Sequence, residues 1–154
     1  MSDATPEQQL EAMLAEFTPD IAARAAEAIA RLRARLPTAT VMVYDNYNAL
    51  AVGFMPAMRP SEAIVSIAVF PRWVTLCFLK DGPRLPDPDG LLNGAGNRVR
   101  HLRLPEASHL EAPAVAALLD AALSMAEPPM PASGSGPLII RSISPKRRPR
   151  RPPG

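Results

Sequence analysis

Apolar residues recur along this chain first at a helical spacing and then, after Thr38, at a strand spacing. Leu10, Met13, Leu14 and Phe17 fall on one stripe of a helix. The preceding Thr5-Pro6-Glu7-Gln8 supplies an N-cap, a proline at the first helical position and the glutamine of a capping box. Thr18-Pro19-Asp20 restarts the pattern, and Ile21, Ala25, Ala28, Ile29, Leu32 and Leu36 define a second helix that Pro37 ends. On its outer face Glu27 and Arg31 have the favourable i,i+4 spacing.

Val41 to Tyr44 suits a strand, Asp45-Asn46-Tyr47-Asn48 a turn, and Ala49 to Met55 the return strand. After a loop at 56–61, Ala63 to Phe70 and Trp73 to Lys80 read as two strands joined at Pro71-Arg72. Both are largely apolar on each face, which predicts a central position with cover on both sides. Residues 81–96 form a loop rich in Pro, Gly and Asp, and Arg98 to Leu104 reads as a charged edge strand. Pro113 is placed at the first position of a last helix whose Val115, Leu118, Leu119, Ala122 and Met125 face the sheet. The expected class is therefore α+β, with N-terminal helices, an antiparallel sheet of about five strands and a C-terminal helix. The domain covers residues 1–126, a linker follows at 127–136, and residues 137–144 suit a short extra strand. Residues 145–154 are expected to be a disordered basic tail.

A chain of 154 residues fits one domain, and its 47% apolar and 21% charged residues suit a globular one. Charge changes the picture more. The net charge is +2, yet Lys146, Arg147, Arg148, Arg150 and Arg151 sit together near the end, so the residues before them are net negative. The tail could neutralise phosphates without specificity. No aromatic-lined basic sheet face is expected from the sequence of the acidic domain, so nucleic acid is expected to bind only weakly, through the tail. The single cysteine, Cys77, cannot form an internal disulfide, and between Leu76 and Phe78 it reads as a small buried, inert residue. Met1 to Glu16 lacks the layout of a secretory signal, and no apolar run approaches the ~20 residues of a membrane span, so a cytoplasmic location is expected.

No catalytic motif and no cofactor signature stands out, and no metal-ligand spacing links His101, His109, Cys77 and the carboxylates. Two surfaces are candidates for binding. Around the first turn, Tyr44, Asn46 and Tyr47 place amphipathic rings beside amides, although the same residues also suit the turn itself. Farther on, Gly94 and Gly96 free backbone N–H groups to face an anion, and Arg98 and Arg100 share a strand face, so the two arginines are the expected clamp. His101, on the opposite face, is expected to be structural. The competing reading of this segment is a glycine turn whose arginines pair with Asp87 and Asp89.

The run Val43-Tyr44-Asp45-Asn46-Tyr47-Asn48-Ala49-Leu50-Ala51-Val52-Gly53-Phe54 resembles the opening hairpin of the YdhG-like family, domain-of-unknown-function family 1801. Leu85-Pro86-Asp87-Pro88, Leu91-Leu92, Gly94, Gly96 and Val99-Arg100-His101 resemble it too. The likeness covers roughly residues 8–126, and 141–151 is similar to an Arg-rich ending within that family. The resemblance implies a compact α+β domain, distantly similar in shape to frataxin, and no settled activity. The expected function is a non-enzymatic module for a small anionic ligand or a protein partner. The alternatives are a frataxin-like iron or metal delivery protein and an enzyme of unrecognised type. For iron, an acidic ridge on the first helix would be needed, and Glu7, Glu11 and Glu16 are followed closely by Arg24, Arg31, Arg33 and Arg35.

Overall fold

The capping box closes at the start of the first helix: the Gln8 amide donates to Thr5 Oγ1 at 3.1 Å, and the Thr5 amide donates to Gln8 Oε1 at 2.9 Å. The computed structural model describes residues 4–153. Helix α1 spans Pro6–Leu14 and α2 spans Pro19–Arg35. Strands β1 Thr40–Asp45, β2 Leu50–Met55, β3 Val65–Val69, β4 Val74–Phe78 and β5 Arg100–Arg103 follow. Helix α3 runs Pro113–Met125 from its N-terminal proline, and β6 covers Leu138–Ile143. No helix among the described residues is long and apolar enough to cross a membrane.

The class is α+β, but the sheet has six strands and is mixed rather than antiparallel. Its order is β5-β4-β3-β2-β1-β6. Each of β1 to β5 pairs antiparallel with its sequence neighbour, whereas β6 lies parallel to β1. This pairing joins residues about a hundred positions apart, so no local pattern could disclose it. Its entry is tight: the Val41 amide donates to Pro137 O at 2.9 Å, and a side chain at Gly136 would overlap the Ala39 carbonyl.

All three helices pack on one face of the sheet. Val41, Val43, Leu50, Val52, Phe54, Val65, Ile67, Val69, Val74, Leu76 and Phe78 turn to that face and form one core with Phe17, Ile21, Leu32, Leu118 and Leu119. Burying each such side chain contributes roughly 1.5–3 kcal/mol. The expectation of cover on both sides of β3 and β4 holds only in part: Ser66 and Thr75 on the second face are buried, but among the described residues no helix rests there. Chain alternation explains the difference, because the second face of these strands carries the small residues Ser66, Ala68, Thr75 and Cys77.

The basic tail is not disordered. Asp45, the last residue of β1, points toward the helices with its side chain only 3% exposed. Arg150, equally buried, donates from Nη2 to Asp45 Oδ1 at 2.7 Å and to the Asn46 carbonyl at 2.6 Å. Arg147 Nη1 reaches Asp45 Oδ2 at 2.6 Å and Glu16 Oε2 at 3.1 Å. The Arg148 amide donates to Tyr47 O at 2.8 Å, and Arg151 Nε to the Glu16 carbonyl at 3.1 Å. Composition suggested disorder because the segment has no apolar residue to bury beyond its prolines. What docks it is a buried carboxylate that needs a counter-charge.

Removing one partner of a buried ion pair costs about 3–5 kcal/mol. Truncation after Ser144, and separately Asp45→Asn, should therefore lower the thermal midpoint, by on the order of ten degrees for a chain of this size. Thermal unfolding followed by circular dichroism checks both, and an unchanged midpoint would mean that the tail does not dock.

Candidate functional site

The face without helices is not uniform. Toward β1 it is filled by Met42, Met55 and Ala63, with Tyr44, Leu79 and Ile139 packed around them. Toward β5 the side chains shrink, and a cleft of about 700 Å3 opens there. Ala68, Thr75 and Cys77 form its floor, Phe70 and Trp73 close one end, and Asn93 and Val99 of the 81–99 loop rise beside His101 and Arg103. That loop is held by an Asn93–His101 backbone bridge, with hydrogen bonds of 2.8 and 3.0 Å.

Strand register decides which groups meet. Cys77 is paired with His101 and Thr75 with Arg103 across β4 and β5, while Ser66 faces Cys77 from β3. The Arg103 guanidinium carbon lies 4.0 Å from the centre of the Trp73 ring, a cation held over an aromatic face. Phe70 supports that ring, with centroids 5.6 Å apart. In the sequence Trp73 and Arg103 stand out only as strand residues; the signal that marks them is parity. Trp73, Thr75 and Cys77 alternate with the large Val74, Leu76 and Phe78, and His101 and Arg103 alternate with Leu102 in the same way.

Cys77 is half-buried on the cleft floor rather than enclosed in the core. Burial pushes its thiol up, and the Ser66 hydroxyl beside it acts more weakly in the other direction. An activated nucleophile needs the opposite shift. Among the described residues no hydrogen bond joins Cys77 to His101, and no three His, Cys, Asp or Glu side chains converge on one point.

The seven residues singled out in the sequence do not form one cluster. Tyr44, Asn46 and Tyr47 lie on and after β1, four strand spacings from β5, which is roughly 19 Å. The Tyr44 ring packs on Met42, its hydroxyl 3.5 Å from Sδ, and burial pushes the phenol up against a weaker opposite effect of Arg141. The Asn46 carbonyl is taken by Arg150, and Tyr47 is half-exposed at the turn. Gly94, at φ 122°, and Gly96 lie in the loop before β5. Arg98 also lies in that loop, outside the strand, so it does not share a strand face with Arg100. Arg100 donates from Nη1 to the carbonyls of Gly96 at 2.6 Å and Val99 at 2.9 Å, which fastens the loop. Asp87 accepts from the Leu91 and Leu92 amides at 2.8 and 2.9 Å, and among the described residues neither arginine pairs with it or with Asp89. The expected clamp is thus not assembled, and the arginine that faces the cleft is Arg103.

Comparison of the chain with protein-family models, with curated proteins and with solved structures found no match.

Because the thiolate is the reacting form, a raised thiol pKa makes Cys77 slow to react at neutral pH. Labelling of the native protein by a thiol reagent should be slower than that of a free cysteine at pH 7. It should accelerate as pH rises past the ordinary thiol range. Rapid labelling at pH 7 would contradict the environment described.

Proposed function

We propose that the chain is a YdhG-like binding domain without chemistry of its own, and that it takes a small anionic ligand in the cleft on the open sheet face. The observation that carries this reading is Arg103, stacked 4.0 Å over Trp73 at the rim of a cleft whose floor is made of small side chains. A guanidinium fixed against a ring loses little freedom on binding and offers parallel donors to a carboxylate or phosphate. His101 adds a second polar group on the same side of β5, and Trp73 and Phe70 offer contact to an apolar or planar part of the ligand. The YdhG-like assignment rests on the 43–54 hairpin and the 85–101 segment. The 85–101 segment supplies one wall of the cleft through Asn93 and Val99. Iron delivery draws no support from the geometry, since Glu16 on the α1 side is engaged by Arg147 and no three ligands converge among the described residues.

A ligand at about a hundred times its dissociation constant stabilises the native state by ~2.7 kcal/mol. A thermal-shift screen of phosphates, carboxylates and nucleotides should give at least one hit of several degrees. Arg103→Ala and Trp73→Ala should each remove most of that shift. A hit that survives Arg103→Ala unchanged would place the anion elsewhere and overturn the reading.

A further inference from the structure

The docked tail builds a second groove, of about 760 Å3, against the β3–β4 turn. Asn48, Phe70, Arg72, Trp73, Arg148 and Arg151 line it, together with the prolines between and after them. Phe70 and Trp73 belong to both this groove and the cleft, so the two rings form a ridge with a concavity on each side. The residues lining both include arginines on either side of the ridge and no carboxylate. Arg151 donates to the carbonyls of Ala15 and Glu16 and so serves as wall. Arg72, Arg103 and Arg148 are exposed and have no ion-pair partner among the described residues. Arg148 also stands 5.8 Å from the Tyr47 ring, which adds a half-exposed aromatic beyond the second groove.

We infer that this strip, running from the cleft over the Phe70–Trp73 ridge into the tail groove, binds single-stranded nucleic acid. Bases pack against Phe70 and the open edge of Trp73, whose face Arg103 covers, and phosphates are met by Arg103 on one side and by Arg72 and Arg148 on the other. Alternating rings and guanidiniums suit a polymer that alternates flat bases with single negative charges. A duplex keeps its bases stacked inside and cannot offer them to half-buried rings in a concave surface. A membrane would ask for protruding apolar side chains, whereas both rings are half-buried. The position of the strip depends on the tail: Arg147 and Arg150, fixed on Asp45, hold Arg148 and the prolines in place. The inference deepens the reading of the cleft as an anion site, of which it names the ligand class.

Trp73 is the only tryptophan in the chain, so its fluorescence reports on the ridge directly. A dye-free oligothymidylate of about a dozen nucleotides, titrated into the full-length protein, should quench it. With three phosphates neutralised, log K should fall with log salt at a slope of about −2. Arg72→Ala and Arg148→Ala should each weaken binding several-fold, and Trp73→Phe, followed with a labelled oligonucleotide, should weaken it less than Trp73→Ala. Absence of quenching overturns the inference. So does equal affinity for a duplex of the same sequence or for phosphatidylserine vesicles, which would show attraction by charge alone. Small-anion stabilisation without oligonucleotide binding leaves the cleft reading and removes the strip. Quenching without any small-anion stabilisation keeps the strip and its cleft as an anion site, and removes only the small ligand of the proposed function.

Discussion

Asp45 ends the first strand with a buried carboxylate, linked through Arg147 to Glu16 between the first two helices. A charge in that position is costly unless it is neutralised and hydrogen-bonded. The residues that meet it come from the other end of the chain, where Arg147 and Arg150 take one oxygen each. The arrangement is only partly satisfied. Arg150 keeps Nε and Nη1 buried with no hydrogen-bond partner among the described residues, and its guanidinium lies 5.7 Å from the Phe17 ring centre. Phe17 is itself nearly fully buried, so the contact ties the helix layer, the sheet and the tail at a single point. Surface pairs such as Arg31 with Glu27 and Glu111, or Arg35 with Asp120, bridge the helix layer too, but exposed pairs of this kind add little.

That point has consequences at the far side of the sheet end. The β1–β2 turn, the β3–β4 turn and the tail all lie there, and docking the tail turns a flat rim into a groove beside Phe70 and Trp73. The second constraint is the one-sided sheet. Large side chains on the helix-facing parity of β3 and β4 make the core, and small ones on the other parity leave room above them. Room, rings and arginines then coincide because strand pairing places β5 beside β4 and brings Arg103 over Trp73.

Local signals were enough for most of the fold. The capping box at Thr5, the prolines opening each helix and the turns at 45–48 and 71–72 specify their elements with neighbours only. The site was less legible. Gly94, Gly96, Arg98 and Arg100 drew notice as a composition, yet Arg100 is spent on its own loop's carbonyls and Arg98 lies outside the strand. Reading both faces of β4 as apolar hid the difference in size between them, which is where the cleft comes from.

The sequence by itself determined the class of the fold, the helix starts, the two hairpins of the sheet and the acidic-then-basic division of charge. These depend on spacing and on local backbone chemistry. Only the tertiary structure decided that β6 joins the sheet edge in parallel, that the basic segment is a docked strap and that Trp73, Arg72, Arg103 and Arg148 share one surface. Each of these is a contact between residues distant in the chain. It is selected by a buried charge or a free strand edge, and neither leaves a periodic trace in the sequence.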